Sequence, residues 1–272
     1  MYKLIAFDLD GTILDDNGEL SNATIVYLEE LLKKDYLLVP CSARTLFEYP
    51  TWFKDHQEIK YLITHNGAII IDNKTKEPLT NHTLSGKKSI EVAEILAPVN
   101  NLITFNYGEY MISSLDLYNF LLPQNTPFKA GMFVHQARAY AYDYKYFLNL
   151  NDGITKIHVS LPDPNDKEKL YHLLKDVKDI YLASSHPNNI EITHPLANKG
   201  SALKFVLDQL NISSQEVISF GDNDNDVSLL EAAGHKVAML NATSRLKAVA
   251  DNLTKFDNNH DGVVDYLNSY LK

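Results

Sequence analysis

The sequence predicts an α/β protein whose core is a doubly wound parallel sheet carrying an inserted α+β unit. Three observations lead there. Tyr2–Phe7, Asn22–Lys34 and Tyr36–Pro40 read as strand, helix and strand, and that order within so short a length is a βαβ unit with parallel strands. The same texture resumes near residue 195, with a helix opening at Asn198-Lys199-Gly200, a buried strand at Val217–Phe220 and an apolar helix over Val227–Ala233. Between them, from about residue 82, the texture differs. Tyrosine-rich runs (Thr104–Ser114, Ala139–Phe147) precede strand-like runs (Ile154–Leu161, Ile180–Ala183, Asn189–Thr193) and a helical stretch over Asp166–Val177. A Rossmann-like core is therefore expected over 1–82 and 191–272, and a separate domain over 83–190.

Whole-chain properties narrow the function classes. At 272 residues the chain is long enough for one large domain or two smaller ones. The net charge of −10 argues against nucleic acid as the main partner. Cys41 is the single cysteine, which excludes an internal disulfide and suits the cytoplasm. No apolar run approaches 18 residues, so no membrane span is expected. Strand-like sequence begins at residue 2, and no cleavable leader is expected.

The first strand runs into Phe7-Asp8-Leu9-Asp10-Gly11-Thr12. Ligands of open α/β sheets bind beyond the carboxyl ends of the strands, which is where Asp8 and Asp10 fall. Successive carboxylates two apart share a face only on a regular strand, so different tasks for the two require a turn. Gly11 permits one. A calcium loop counted from Asp8 would have Ile13 at its sixth position, where glycine is needed, so that reading fails. The next helix has Ile25, Leu28, Leu31 and Leu32 at helical spacing and Ser21 as its N-cap.

The second strand ends in Cys41-Ser42-Ala43-Arg44, and a helix-like segment is expected after it. Ser42 would then lie beside a helix N-terminus, able to hold a phosphate oxygen or simply to act as an N-cap. Tyr61–Thr64 and Ile69–Ile71 read as strands around His65-Asn66-Gly67, where Asn-Gly favours a tight turn. His65 and Asn66 could face a ligand there. Lys199 at a helix start opposes the helix dipole, which hints at an anionic partner. The run Gly221-Asp222-Asn223-Asp224-Asn225-Asp226 comes after a buried strand, and its carboxylates repel one another unless a cation compensates. Asp257, Asn259, Asp261 and Gly262 partly fit a calcium loop, but its twelfth position is Asn268, and a polar turn is the better reading.

Asp8 and Asp10, Ser42 and Asp222 each come directly after a predicted parallel strand, with Lys199 between. This arrangement resembles the haloacid dehalogenase superfamily, through its DLDGT and GDNDND runs. The order DLDGT, a hydroxyl after the second strand, NGA, NKG, GDNDND and VAMLNA resembles the Cof-type branch, which carries a large α+β cap between its second and third motifs. Asn241-Ala242, Leu246-Lys247, Ala250-Asp251 and Asp261-Gly262-Val263 continue the likeness. Three positions depart from it, the first being Ser42, which stands where threonine is usual and keeps the hydroxyl. Ala43 stands where glycine is usual, adding a methyl where backbone should approach phosphate, and Leu240 also replaces a glycine.

The resemblance implies a Mg²⁺-dependent phosphatase working through an aspartyl-phosphate. It implies Asp8 as nucleophile and Asp10 as general acid and then base. Mg²⁺ would be held by Asp8, the Asp10 main-chain carbonyl, Asp222 and Asn223. Phosphate would be held by Ser42, Arg44, Lys199, Asn225 and the backbone near Leu9 and Ala43, with Asp226 and Asn66 in support. The implied substrates are small phosphorylated metabolites, sugar phosphates or cofactors such as flavin mononucleotide and pyridoxal phosphate, chosen by the cap. A monomer or weak homodimer without nucleic-acid or membrane partners is expected. A phosphosugar mutase and a non-catalytic phosphometabolite sensor are the alternatives.

Overall fold

The structure is a computed structural model and describes residues 2–99, 102–108, 110–113, 139–141, 145, 148–149, 151–185 and 188–271. The chain divides into two compact units, Met1–Asn81 with Asn198–Lys272, and His82–Ala197.

The first unit contains β1 (Leu4–Phe7), β2 (Leu37–Pro40), β3 (Tyr61–Thr64), β4 (Ile69–Asp72), β5 (Pro78–Asn81), β12 (Val217–Gly221), β13 (His235–Ala238) and β14 (Asn252–Leu253). Five of these form a parallel sheet in the order β14-β13-β12-β1-β2. The strand β1 alternates its side chains between two cores. Ile5 and Phe7 pack with Leu28 and Leu31 of the Asn22–Lys33 helix and with Leu267 of the Gly262–Tyr270 helix. Leu4 and Ala6 pack on the other face with Leu203 and Val206 of the Lys199–Leu210 helix. Both faces are thus covered by helices, and that explains why β1 reads as a continuous apolar run. The register Phe7↔Pro40 and Phe7↔Phe220 brings the ends of β1, β2 and β12 level. The residues just past these three strands therefore meet at one edge of the sheet.

Local signals in the sequence are realised closely at the first helix. It spans Asn22–Lys33, and Ser21 Oγ accepts from the Thr24 amide at 3.0 Å. The helix expected after Arg44 does not start beside Ser42. Turns occupy 43–50, and the helix there runs over only Thr51–Asp55. The cause is local: Ser42 Oγ takes the Arg44 amide and Glu48 Oε2 takes the Thr45 amide, while Pro50 disfavours helical backbone at Tyr49. β3, β4 and β5 form a separate antiparallel sheet, with an isolated parallel bridge from Cys41 to Ile63. The turn between β3 and β4 places His65 and Asn66 at φ 52° and 57°.

The calcium-like run near 257 is a clamp between loops. Asp257 binds His260, Asn258 Nδ2 donates to the Leu14 carbonyl and to Asp16, and Asn259 Oδ1 accepts from the Asp16 amide. Asp261 Oδ1 accepts from Ser21 and Thr24. These oxygens are turned toward separate partners rather than one point.

The second unit contains β6 (Leu102–Tyr107), β7 (Tyr110–Ser113), β8 (Ala139–Ala141), β9 (Ile154–Ser160), β10 (Tyr181–Ala183) and β11 (Asn189–Thr193), in one sheet of order β10-β11-β9-β6-β7-β8. Phe105, Ile157, Val159, Ile190 and Ile192 give it an apolar face. They pack with Val92 and Leu96 of the Gly86–Leu96 helix and with Leu170 and Leu174 of the Lys167–Leu174 helix. Alternation puts Thr104, Lys156, His158 and Glu191 on the opposite face. Ser114 and much of the tyrosine-rich run over 139–147 lie outside the described residues.

Candidate active site

Asp8 continues β1, and its amide donates to the Phe220 carbonyl at 3.1 Å. The chain then turns, with the amides of Thr12, Ile13 and Leu14 all directed at the Leu9 carbonyl. Gly11 has φ 74°, and a Cβ there would lie 2.5 Å from Asp222 Oδ2. Glycine is required twice over, for the turn and for the approach of Asp222. Thr12 Oγ1 donates to Asp222 Oδ1 at 2.8 Å, so two residues 210 apart in sequence share one corner.

Lys199 explains the misfit seen in the sequence. It is the first residue of a helix capped by Asn198, whose side chain accepts from the Ser201 amide. Its side chain is wholly buried, with Nζ 2.7 Å from Asp8 Oδ1 and 2.6 Å from Asp226 Oδ1. Asp226 Oδ2 accepts from the amides of Asp222 at 2.9 Å and Asn223 at 3.0 Å. Both Asp226 oxygens are therefore engaged within the protein, and Asp226 ties Lys199 to the loop that carries Asp222.

The charges do not balance. Asp8, Asp222 and Asp226 are all buried, and each offers a carboxylate oxygen within 4.8 Å of the others. One lysine faces these three acids. Burial, and then the Asp226 charge, pushes the Asp8 carboxyl well above its ordinary range, against the pull of Lys199. Burial and Asp226 likewise push Asp222 up to about 7, while the Thr12 hydroxyl opposes the rise. Burial alone would lower the Lys199 ammonium, but Asp226 and Asp8 outweigh it and raise it. Such a surplus suits a hard cation with oxygen ligands.

The other residues singled out in the sequence surround this corner. The Leu9 amide donates to Asp8 Oδ1 at 2.7 Å. Ser42 is buried, and its Oγ accepts from the Arg44 amide at 3.1 Å. It caps a turn rather than a helix. Ala43 sits half-buried in that turn. Asn225 is buried and donates through Nδ2 to Asn66 Oδ1 at 3.1 Å, while the Asn66 amide donates to the Ser42 carbonyl. Asn66 thereby joins the Ser42 and Asp222 loops. Asn223 Oδ1 accepts from the Asp224 amide at 3.1 Å. Arg44 is directed at Asp10: Nε donates to Oδ2 at 2.8 Å and Nη2 to Oδ1 at 2.5 Å. That pairing has no signal in the sequence, where the two are 34 residues apart. Asn241 is a further participant, its Nδ2 donating to the Gly11 carbonyl at 2.8 Å; its place in the VAMLNA run is the available signal.

A family model described as haloacid dehalogenase-like hydrolase matches residues 5–267, and the chain belongs to that family. A Haemophilus influenzae relative, named as a phosphatase, is 30% identical, over 97% of this chain and 96% of its own. A Bacillus subtilis relative, 26% identical over 99% of this chain and 96% of its own, is named 5-amino-6-(5-phospho-D-ribitylamino)uracil phosphatase YcsE. A solved structure of a haloacid dehalogenase-like hydrolase from B. subtilis superposes with a TM-score of 0.82 at 27% identity, covering 99% of this chain and all of that one. Among the described residues, no helix is long and apolar enough to cross a membrane.

Proposed function

We propose that this phosphoric monoester hydrolase acts on small phosphorylated metabolites through an aspartyl-phosphate on Asp8, with Mg²⁺ as its cation. The carrying observation is the buried Asp8 carboxylate held 2.7 Å from Lys199 with Asp222 beside it. A carboxylate attacks a phosphate dianion only if their repulsion is offset. Lys199 supplies one positive charge. Asp8, Asp222, the Asp10 main-chain carbonyl and Asn223 would hold Mg²⁺, which when bound supplies the remaining charge neutralisation at phosphorus. Asp226 is left out of that set because its oxygens already serve Lys199 and two amides.

In the first step an Asp8 oxygen bonds to phosphorus and the ester P–O bond breaks. The Asp10 carboxyl gives its proton to the departing oxygen. In the second step Asp10, now a carboxylate, takes a proton from water as that water's oxygen bonds to phosphorus. The Asp8–phosphorus bond breaks, inorganic phosphate leaves, and Asp8 and Asp10 regain their starting states. Ser42, Asn225 and the amides near Leu9 and Ala43 hold the phosphoryl oxygens.

Sugar phosphates and phosphorylated cofactors such as flavin mononucleotide and pyridoxal phosphate form the substrate class. The name of the YcsE relative supports adding phosphorylated ribityl compounds. We assign the choice among them to the second unit, whose sheet presents polar side chains on the face opposite its helices. The test is a screen of such esters with nitrophenyl phosphate as reference, with and without Mg²⁺. The expected result is turnover that disappears on chelation and returns with Mg²⁺. Full turnover after exhaustive chelation would contradict the metal assignment.

A further inference from the structure

We propose that Arg44 is a positioning residue for Asp10, and that its guanidinium grips the acid–base carboxylate rather than the phosphate. The inference rests on the roles proposed above for Asp8 and Asp10. All three guanidinium nitrogens are committed: Nε and Nη2 to the two Asp10 oxygens, and Nη1 to the Glu48 carbonyl at 2.9 Å. A two-point fork of this kind fixes the plane of a carboxylate as well as its position, which a single ammonium does not.

The arm that carries the fork is itself anchored. The Arg44 amide donates to Ser42 Oγ, its carbonyl accepts from the His65 amide at 2.9 Å, and Glu48 folds back onto the Thr45 amide at 2.8 Å. This is the use to which the turns over 43–50 are put. The loop facing the guanidinium makes room for it. Gly18 has φ 79°, and a Cβ there would lie 3.0 Å from Arg44 Nη2. Asp15 holds that loop by accepting from the amides of Asn17 and Glu19 at 2.9 Å.

Asp10 needs such a partner. Its side chain is 56% exposed on a turn, where an aspartate free of contacts would sample several rotamers. An acid–base group displaced by about 1 Å can cost on the order of 10²-fold in rate. The two-point fork is the geometry of the ionised carboxyl: while Asp10 carries its proton only the unprotonated oxygen accepts fully from Arg44, and the full grip forms once the proton has gone to the leaving oxygen. When Asp10 has protonated the leaving oxygen it is a carboxylate, and Arg44 is placed to stabilise that anion until it takes a proton from water. The two carboxylates of the DLDGT run thus have separate cations, Lys199 for Asp8 and Arg44 for Asp10.

The test uses the full chain with Mg²⁺ and compares Arg44→Ala and Arg44→Lys, each alone and combined with Asp10→Asn. Two quantities are read: the burst of released alcohol or phenol from a sugar phosphate and from nitrophenyl phosphate, and the inhibition constant of inorganic phosphate. Arg44→Ala is expected to slow the sugar phosphate burst by about 10–10²-fold and the nitrophenyl phosphate burst by less. Phosphate inhibition should stay within about twofold, because no guanidinium contact to phosphate is lost. Arg44→Lys, with one donor point instead of a fork, should fall between Arg44→Ala and the parent. In the Asp10→Asn background Arg44→Ala should add little, since residues acting as one unit are non-additive. A rise of about tenfold or more in the phosphate inhibition constant in both backgrounds would make Arg44 a phosphate ligand and overturn the proposal. Equal burst losses on the two esters, additive with Asp10→Asn, would leave Arg44 a merely structural role and overturn it too. If Asp10→Asn alone shows no leaving-group dependence, the acid–base assignment fails and this proposal with it. If only Arg44→Ala lacks that dependence, the assignment of Asp10 stands and the proposal alone fails.

Discussion

Two clusters of buried charge in this molecule respond to burial in opposite ways. In the second unit Glu191 lies 2.8 Å from Lys156 and 3.7 Å from His158. Burial would raise its carboxyl, but Lys156 and then His158 outweigh that and hold it well below the ordinary range. At the Asp8 corner of the first unit one lysine faces three carboxylates, and Asp8 and Asp222 are driven up instead. Burial is common to both; the difference is the count of countercharges. A balanced cluster is complete as it stands. An unbalanced one is costly unless something cationic joins it, and for that reason we place the metal and the phosphate at the Asp8 corner and not beside Glu191.

The largest effect expected from disturbing the contrast comes from Lys199→Met. Among the described residues it removes the only positive side chain between the three acids, and breaking a buried pair in this way costs about 3–5 kcal/mol. The loss, read by urea unfolding without metal, should be larger at pH 8 than at pH 5, where the acids can take up protons. Phosphatase activity should vanish at either pH. Next in size is Glu191→Gln, which strands Lys156. Lys156 retains some solvent contact, so the loss should lie near the lower end of that range, about 3 kcal/mol. Burst kinetics on nitrophenyl phosphate should be nearly unchanged. A large effect of Glu191→Gln on that burst would break the contrast.

The smallest effect is the pH dependence of metal stabilisation. Asp222 has a folded value of about 7 against an ordinary 3.8. A raised folded value contributes stability that is fully present below the unfolded value and is lost as pH rises through the folded one. Without metal, Asp222 should therefore weaken the fold between about pH 4 and pH 7. Glu191 acts in the opposite sense: its contribution is present above its ordinary 4.5 and is lost as pH falls below it. Added Mg²⁺ competes with protons at Asp222, so it should raise the melting temperature more at pH 8 than at pH 5. Equal shifts at both pH values would show that the cation does not bind the raised carboxylate.

How much of this is legible in the sequence depends on the distance over which a cause acts. The Asn22–Lys33 helix can be read with its Ser21 cap because its apolar spacing and its cap lie within one window. The Gly86–Leu96 helix carries the same kind of local signal, with Ser85 as cap and Ser89, Val92, Ala93 and Leu96 at helical spacing, although no helix is expected there. The segment after Ser42 has helix-like spacing, but its helix is confined to Thr51–Asp55. Side chain to backbone bonds from Ser42 and Glu48 compete with helix formation there, and spacing does not register them. The placement of Asp8 and Asp222 past strand ends and of Lys199 at a helix start is legible because those are local features, while the roles proposed for them come from the resemblance of the motifs. The links between motifs are not. Asn225 meets Asn66 across 159 residues, because the Cys41–Ile63 bridge and the Asn66 amide on the Ser42 carbonyl hold the separate β3–β4–β5 sheet beside the parallel one.

The central claim is that the unbalanced corner makes Asp8 the phosphoryl acceptor. The most direct measurement is acid quench of the Asp10→Asn protein during its reaction with nitrophenyl phosphate, with peptide mass spectrometry of the quenched protein. Nitrophenolate leaves readily without a proton, while the second step lacks its base, so the phosphoenzyme should accumulate. A phosphoryl adduct is predicted on the peptide containing Asp8, absent when Asp8→Asn is added. A burst of nitrophenol with no adduct, or with the adduct on another residue, would contradict the account.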